Sequence, residues 1–287
     1  MLKKLFQTLF IVGAFSLMNT SAHAAAANNS TTFNLCTGGA ALAFNAGANP
    51  YCRMTPAKYE VTVYEMGLCT AHPFNNGAVS TLAMDKSTCT VIFTNTAGST
   101  IDIVETIGGK SALTGTASRP ADGTYKYPYM VMSNQFTING SMLGVPSTAQ
   151  ASTTYYSDDD GTPKTTAPAE DYSYALQNMG GGSCFSGSID QTGNAGTIDA
   201  YLTNNAYARR ETTDYSNPNC TGVTRLIGVM DLNTPFTVTP NTQQVLFTFN
   251  VTNQGLRVQA DTSGSTGAVT VIESGPFGGD FSVVNAD

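Results

Sequence analysis

The sequence predicts an all-β fold, a disulfide-stabilised antiparallel β-sandwich or jelly-roll-like domain with long loops. Three observations predict it. Runs of period-two alternation recur along the chain while helical periodicity hardly appears, the runs are punctuated by Gly, Pro, Asn and Asp, and an even set of six cysteines spans them.

The clearest alternation is residues 58–66, KYEVTVYEM, with Tyr59, Val61 and Val63 on one face and Glu60, Thr62 and Tyr64 on the other. Residues 89–95, 100–106, 197–204, 224–232 and 268–274 read as further strands. In residues 243–261, Val245, Phe247, Phe249 and Val251 share a face, and the alternation resumes at Leu256, Val258 and Ala260 after Asn253-Gln254-Gly255. Two such runs around a short Gly-containing loop predict a β-hairpin.

Residues 123–132, GTYKYPYMVM, set Tyr125, Tyr127 and Tyr129 at every second position. Pro128 has no N–H to give a sheet ladder, so this strand is expected at an edge or a bulge. Tyrosines packed at a sheet rim are the favoured reading; the alternative is an aromatic strip that contacts a ligand or partner.

Residues 1–24 carry a basic start (Lys3, Lys4), an apolar run from Leu5 to Met18, and Ala22 and Ala24 in an A-x-A cleavage pattern. This is the pattern of a secretory signal peptide, with cleavage expected after Ala24. Residues 25–34 read as a flexible arm and 35–287 as the β-rich domain. The Thr-, Asp- and Pro-rich segment 145–171 is a long loop on that domain or, alternatively, a linker between two β domains at 35–144 and 172–287. The expected location is secreted, extracellular or at the cell surface, with the periplasm as the other oxidising compartment, and no membrane span is expected.

Without Lys3 and Lys4 the chain holds 11 basic residues against 20 acidic ones, a net charge of −9. That balance makes nucleic acid a poor partner. Cys36, Cys52, Cys69, Cys89, Cys184 and Cys220 are the disulfide candidates. The nearest-neighbour pairing joins Cys36 to Cys52, Cys69 to Cys89 and Cys184 to Cys220.

Catalytic constellations are scarce. After removal of the leader, His72 is the one histidine left for Ser-His-Asp or metal-histidine chemistry, and its T-A-H-P-F setting reads as a loop. No G-x-S-x-G elbow occurs; residues 180–188 approach one only loosely. The D-T-S-G string at Asp261 has an extra residue relative to an aspartic-protease loop and no second copy. Paired carboxylates for glycoside hydrolysis would have to come from Glu60, Glu65, Glu105, Glu170 or the aspartates, whose spacing places no two together.

Asp158, Asp159 and Asp160, followed by Gly161, form the candidate calcium site. Adjacent carboxylates alternate direction in an extended chain, so a solvated acidic loop is the favoured reading. Otherwise no cofactor is expected. The chain is therefore expected to be an exported, non-catalytic structural or adhesive subunit of a surface, fibre or matrix that self-associates. The alternative is a secreted glycan- or protein-binding module, calcium-assisted, and a glycoside hydrolase stands behind both. The absence of Trp weakens the glycan reading, although thirteen tyrosines offer stacking surfaces.

Overall fold

The structure, a computed structural model, describes residues 16–18, 36, 51–74, 83–106, 110–144, 150, 152–176, 187–190, 196–208, 222–260 and 267–286. In chain order the first strands are β1 (Ser16–Met18), β2 (Tyr51–Met54), β3 (Lys58–Cys69), β4 (Cys89–Asp102), β5 (Lys110–Ala112), β6 (Thr116–Ala117) and β7 (Gly123–Tyr125). Then come β8 (Tyr127–Ser133), β9 (Gln135–Asn139), β10 (Ser141–Leu143), β11 (Thr154–Tyr156), β12 (Tyr172–Ala175), β13 (Gly187–Asp190) and β14 (Thr197–Thr203). The last are β15 (Arg225–Asp231), β16 (Phe236–Val238), β17 (Thr242–Asn250), β18 (Leu256–Ala260), β19 (Val269–Ser274) and β20 (Gly278–Asn285). One 3-10 turn covers Val104–Thr106, and no α-helix occurs among the described residues. The protein is thus all-β, as its alternation predicts.

The largest sheet is built on both edges of β3. Along one edge β3 pairs antiparallel with β4, beyond which lies β6. Along the other it pairs with β8 and then β9, and β15, β14 and β13 continue outward from β8 while β12 flanks β9. The sheet therefore takes strands from both sides of segment 145–171. That segment itself contributes β11, which pairs with β10.

One residue sets the two faces of this sheet. Against β8, Val63 is opposite Met132 and Glu65 is opposite Val131, so Tyr64 is an extra residue in β3. Such a bulge shifts the alternation by one. Tyr59, Val61 and Val63 point into the main core before the bulge and Met66 and Leu68 after it. Glu65 and Cys69 are thereby turned to the opposite face, where Cys69 joins Tyr129, Val131, Tyr201, Ile227 and Val229 in a second, smaller core.

The main core is shared by several sheets. Besides β3, β8 and β9 it takes Val245, Phe247, Phe249 and Phe281 from the sheet ordered β20-β17-β1-β5, and Cys52, Val258 and Ile272 from the sheet ordered β19-β18-β2. Each large apolar side chain buried here stabilises by about 1.5–3 kcal/mol. The buried Tyr59 ring satisfies its hydroxyl with Ser274 Oγ at 2.8 Å. The two-stranded pair of β16 with β7 adds Tyr125, Phe236 and Val238 to the same core, with Tyr125 beside Phe236.

Three local expectations differ from the structure. Residues 89–95 and 100–106 do not form two strands: β4 runs through from Cys89 to Asp102, with Asn95–Gly98 bulging between the positions opposite Glu65 and Val63. Gly98, at φ +89°, makes that excursion turn. The 243–261 segment is not a hairpin, because β17 pairs with β20 and β1 whereas β18 pairs with β19 and β2. Its connection closes a corner instead, with the Gly255 N–H donating to Val251 O at 2.9 Å and Gln254 Nε2 to Asn250 O at 2.8 Å, and carries the chain to the next sheet. Finally, β8 is an interior strand rather than an edge. Its ladder to β15 stops at Tyr129, so Pro128 falls just beyond the last β15 pair.

Cys36 is bonded to Cys52 and Cys69 to Cys89; Cys184 and Cys220 lie outside the described residues. The bridges mark an oxidising compartment. No described helix is long and apolar enough to cross a membrane.

Beside the bulge, Gly67 makes room for Tyr129: a Cβ there would lie 2.3 Å from a ring carbon of that buried tyrosine. Gly67→Ala should therefore cost about 1–3 kcal/mol, read as a lower denaturant midpoint. An unchanged midpoint would show that the second core repacks freely.

Candidate functional site

The bulge that turns Glu65 away from the main core creates a polar cluster on the second face. Glu65 is 7% exposed. Its carboxylate accepts from Lys86 Nζ at 2.7 and 2.9 Å, from the Tyr129 hydroxyl at 2.6 Å and from the Tyr207 hydroxyl at 3.4 Å. Lys86 also stands 4.8 Å from the centre of the Tyr207 ring. Tyr207 is held at φ +58° in a turn where its N–H donates to Asn204 O and Asn204 Oδ1 accepts from the Ala206 and Ala208 N–H groups. A buried carboxylate is costly unless paired and hydrogen-bonded, and here it is both. Lys86, Tyr129 and Tyr207 thus all donate to the one carboxylate.

His72 lies at the same face with its side chain 7% exposed. Its Nδ1 lies 2.5 Å from Phe74 O and 3.1 Å from the Phe74 nitrogen, and its Nε2 lies 3.3 Å from Asp199 Oδ2. The ring meets Tyr127 and Tyr201 edge-on, at 5.4 and 6.1 Å between centres. Both nitrogens are thus directed at partners within the fold, and neither is presented to a substrate. This placement supports a packing role for the histidine.

The three tyrosines do not form one strip. At Lys126 the strand is interrupted, and Tyr125 enters the main core with its hydroxyl donating to Ala121 O at 2.8 Å. Tyr127 and Tyr129 turn to the second core, Tyr129 fully buried and Tyr127 half-buried.

In the acidic loop the structure brings Asp158, Asp159 and Glu170 together, with one carboxylate oxygen of each within 4.8 Å of the others. Asp160 is not in the group; its Oδ1 accepts from the Thr162 N–H at 2.7 Å. Lys164 supplies the positive charge, its ammonium 3.3 Å from Asp158 Oδ1 and in contact with Glu170 Oε1. Lys164 thus pairs with two of the three grouped carboxylates.

A different arrangement appears at β1. Its backbone lies between β17, to which it runs parallel with Leu17 opposite Phe247, and β5, to which it runs antiparallel with Leu17 opposite Ser111. A segment from the expected leader thus occupies an inner position in a sheet. Neither this slot nor the Glu65 cluster is visible in the sequence as a motif, since their members are scattered along the chain. Compared with protein-family models, curated proteins and solved structures, the chain matches none.

Two measurements follow from these sites. Burial, and then the Glu65 charge, pushes the Tyr207 phenol up to about 12 and the Tyr129 phenol well above the ordinary range. For an acid raised on folding, the stabilisation is complete below the ordinary tyrosine value of about 10 and is lost as pH rises through the folded value. Stability should therefore fall from about pH 10 to 12 and beyond, with part of the tyrosinate absorbance appearing only on unfolding. Full tyrosinate absorbance in the folded state near pH 10 would contradict the burial. In calorimetric titration with calcium to millimolar levels, Lys164 should leave no heat of binding; saturable heat would show that the ion displaces it.

Proposed function

We propose that the chain is an exported, non-catalytic subunit of a surface structure, fibre or matrix that self-associates by strand addition. The observation that carries this reading is the seat of β1, a sheet position filled from the part of the chain that secretion is expected to remove. Main-chain hydrogen bonding of an extended segment to a sheet edge is a general means of building assemblies. The surroundings agree with a structural role: one disulfide ties β3 to β4 and the other ties Cys36 to β2, Glu65 on the second face is paired with Lys86 and Tyr129, and His72 packs among aromatic rings. In this reading residues 1–24 are the cleaved leader, 35–287 act as one β-rich unit, and the partners are further copies of the chain.

The secreted protein should begin at Ala25 by N-terminal sequencing and form oligomers in light scattering, their mass rising with concentration. A chain that stays monomeric at the highest attainable concentration contradicts the reading.

A further inference from the structure

We infer that the slot between β17 and β5 is the acceptor site for that assembly, and that its occupant is the N-terminal arm, residues 25–34, together with Leu35 that follows it, of a second copy. The inference rests on the self-assembly reading above and names the surface and the segment it would use.

The slot is defined by its walls. In the sheet ordered β20-β17-β1-β5, β20 covers one edge of β17 from Thr242 to Asn250 and β1 covers the other at Phe247 and Thr248. With β1 gone, β17 and β5 face each other across a gap two strand spacings wide, about 10 Å. Both then present unpaired backbone donors and acceptors to it. Val245, Phe247 and Phe249 already fill the main core, and Leu246, on the opposite face, is buried as well. One wall of the slot is therefore an apolar strand that lacks a neighbour. At the row where Phe247 is opposite Phe281, both buried, an incoming strand meets an apolar position.

The arm meets that demand. Phe33 and Leu35 alternate with Thr32 and Asn34, so an extended arm carries two apolar residues on one face. Cys36, the described residue that follows the arm, argues against delivery by the same chain. Consecutive Cα atoms are about 3.8 Å apart, so with Leu35 in the slot Cys36 would follow directly within the β17 sheet. Cys36 is instead bonded to Cys52 on β2, and its N–H donates to Arg53 O at 2.9 Å, in the sheet ordered β19-β18-β2. A second copy brings its arm without moving the first copy's Cys36.

The test uses the processed, secreted protein, light scattering, and a fluorescent peptide of residues 25–35. The inference predicts that excess peptide shortens the oligomers. It also predicts that Phe33→Asp raises the concentration for half-assembly about tenfold or more, with an unchanged circular dichroism spectrum. If oligomers form but neither peptide nor substitution affects them, assembly uses another surface; the inference falls while the self-assembly reading stands. If the protein is monomeric and binds the peptide only after residues 25–35 are deleted, its own arm fills the slot and the inference is overturned. Monomer that binds no peptide in either form overturns both.

Discussion

A sheet strand must find partners for its main-chain groups along both edges and cover for both faces, and β3 meets all four demands. β4 lies along one edge and β8 and β9 along the other; the main core covers one face and the second core the other. The bulge at Tyr64 reconciles these demands. Without the extra residue, Glu65 would point into a core of Phe, Ile and Met, and Met66 into the polar cluster with Lys86. With it, the carboxylate reaches Tyr129, Tyr207 and Lys86, and Gly67 leaves space for the Tyr129 ring. The two cores, and the loops that cover the smaller one, follow from that single shift of register.

The same accounting makes β17 conspicuous. Its faces are covered and its β20 edge is paired along nearly its whole length, but its other edge is met by three residues that precede the expected cleavage site. If the expected leader is cleaved, this sheet loses one of its strands. On the proposed reading, replacement of that strand by another extended segment would link export to assembly, the slot being blocked before the leader is removed and open afterwards.

The all-β class was legible because alternation in the core-facing runs is strict. Tyr59, Val61 and Val63, then Val245, Phe247 and Phe249, all point inward as their spacing requires. What alternation cannot express is the choice of partner. The runs on either side of Asn253 look like a hairpin, but pairing is decided by contacts with β20 and β2, which lie far away in sequence. Pro128 looked like an edge marker, yet a proline is equally tolerated where a neighbouring ladder ends. The Glu65 cluster joins positions 65, 86, 129 and 207, so no local pattern announces it. His72 was legible as a lone histidine, but its neighbour Asp199 was not. Lys164, which neutralises Asp158 and Glu170, lay within the acidic segment and was the one signal near the candidate calcium site that charge counting had available.

The central claim is that leader removal uncovers the β17 edge. Amide hydrogen exchange of residues 245–249 and 110–112, compared between a cleavage-blocked precursor and the processed chain held dilute, tests it most directly. The account predicts slow exchange in the precursor, fast exchange in the dilute processed chain, and unchanged protection in β3 and β8. Equal protection of β17 in both forms would contradict it.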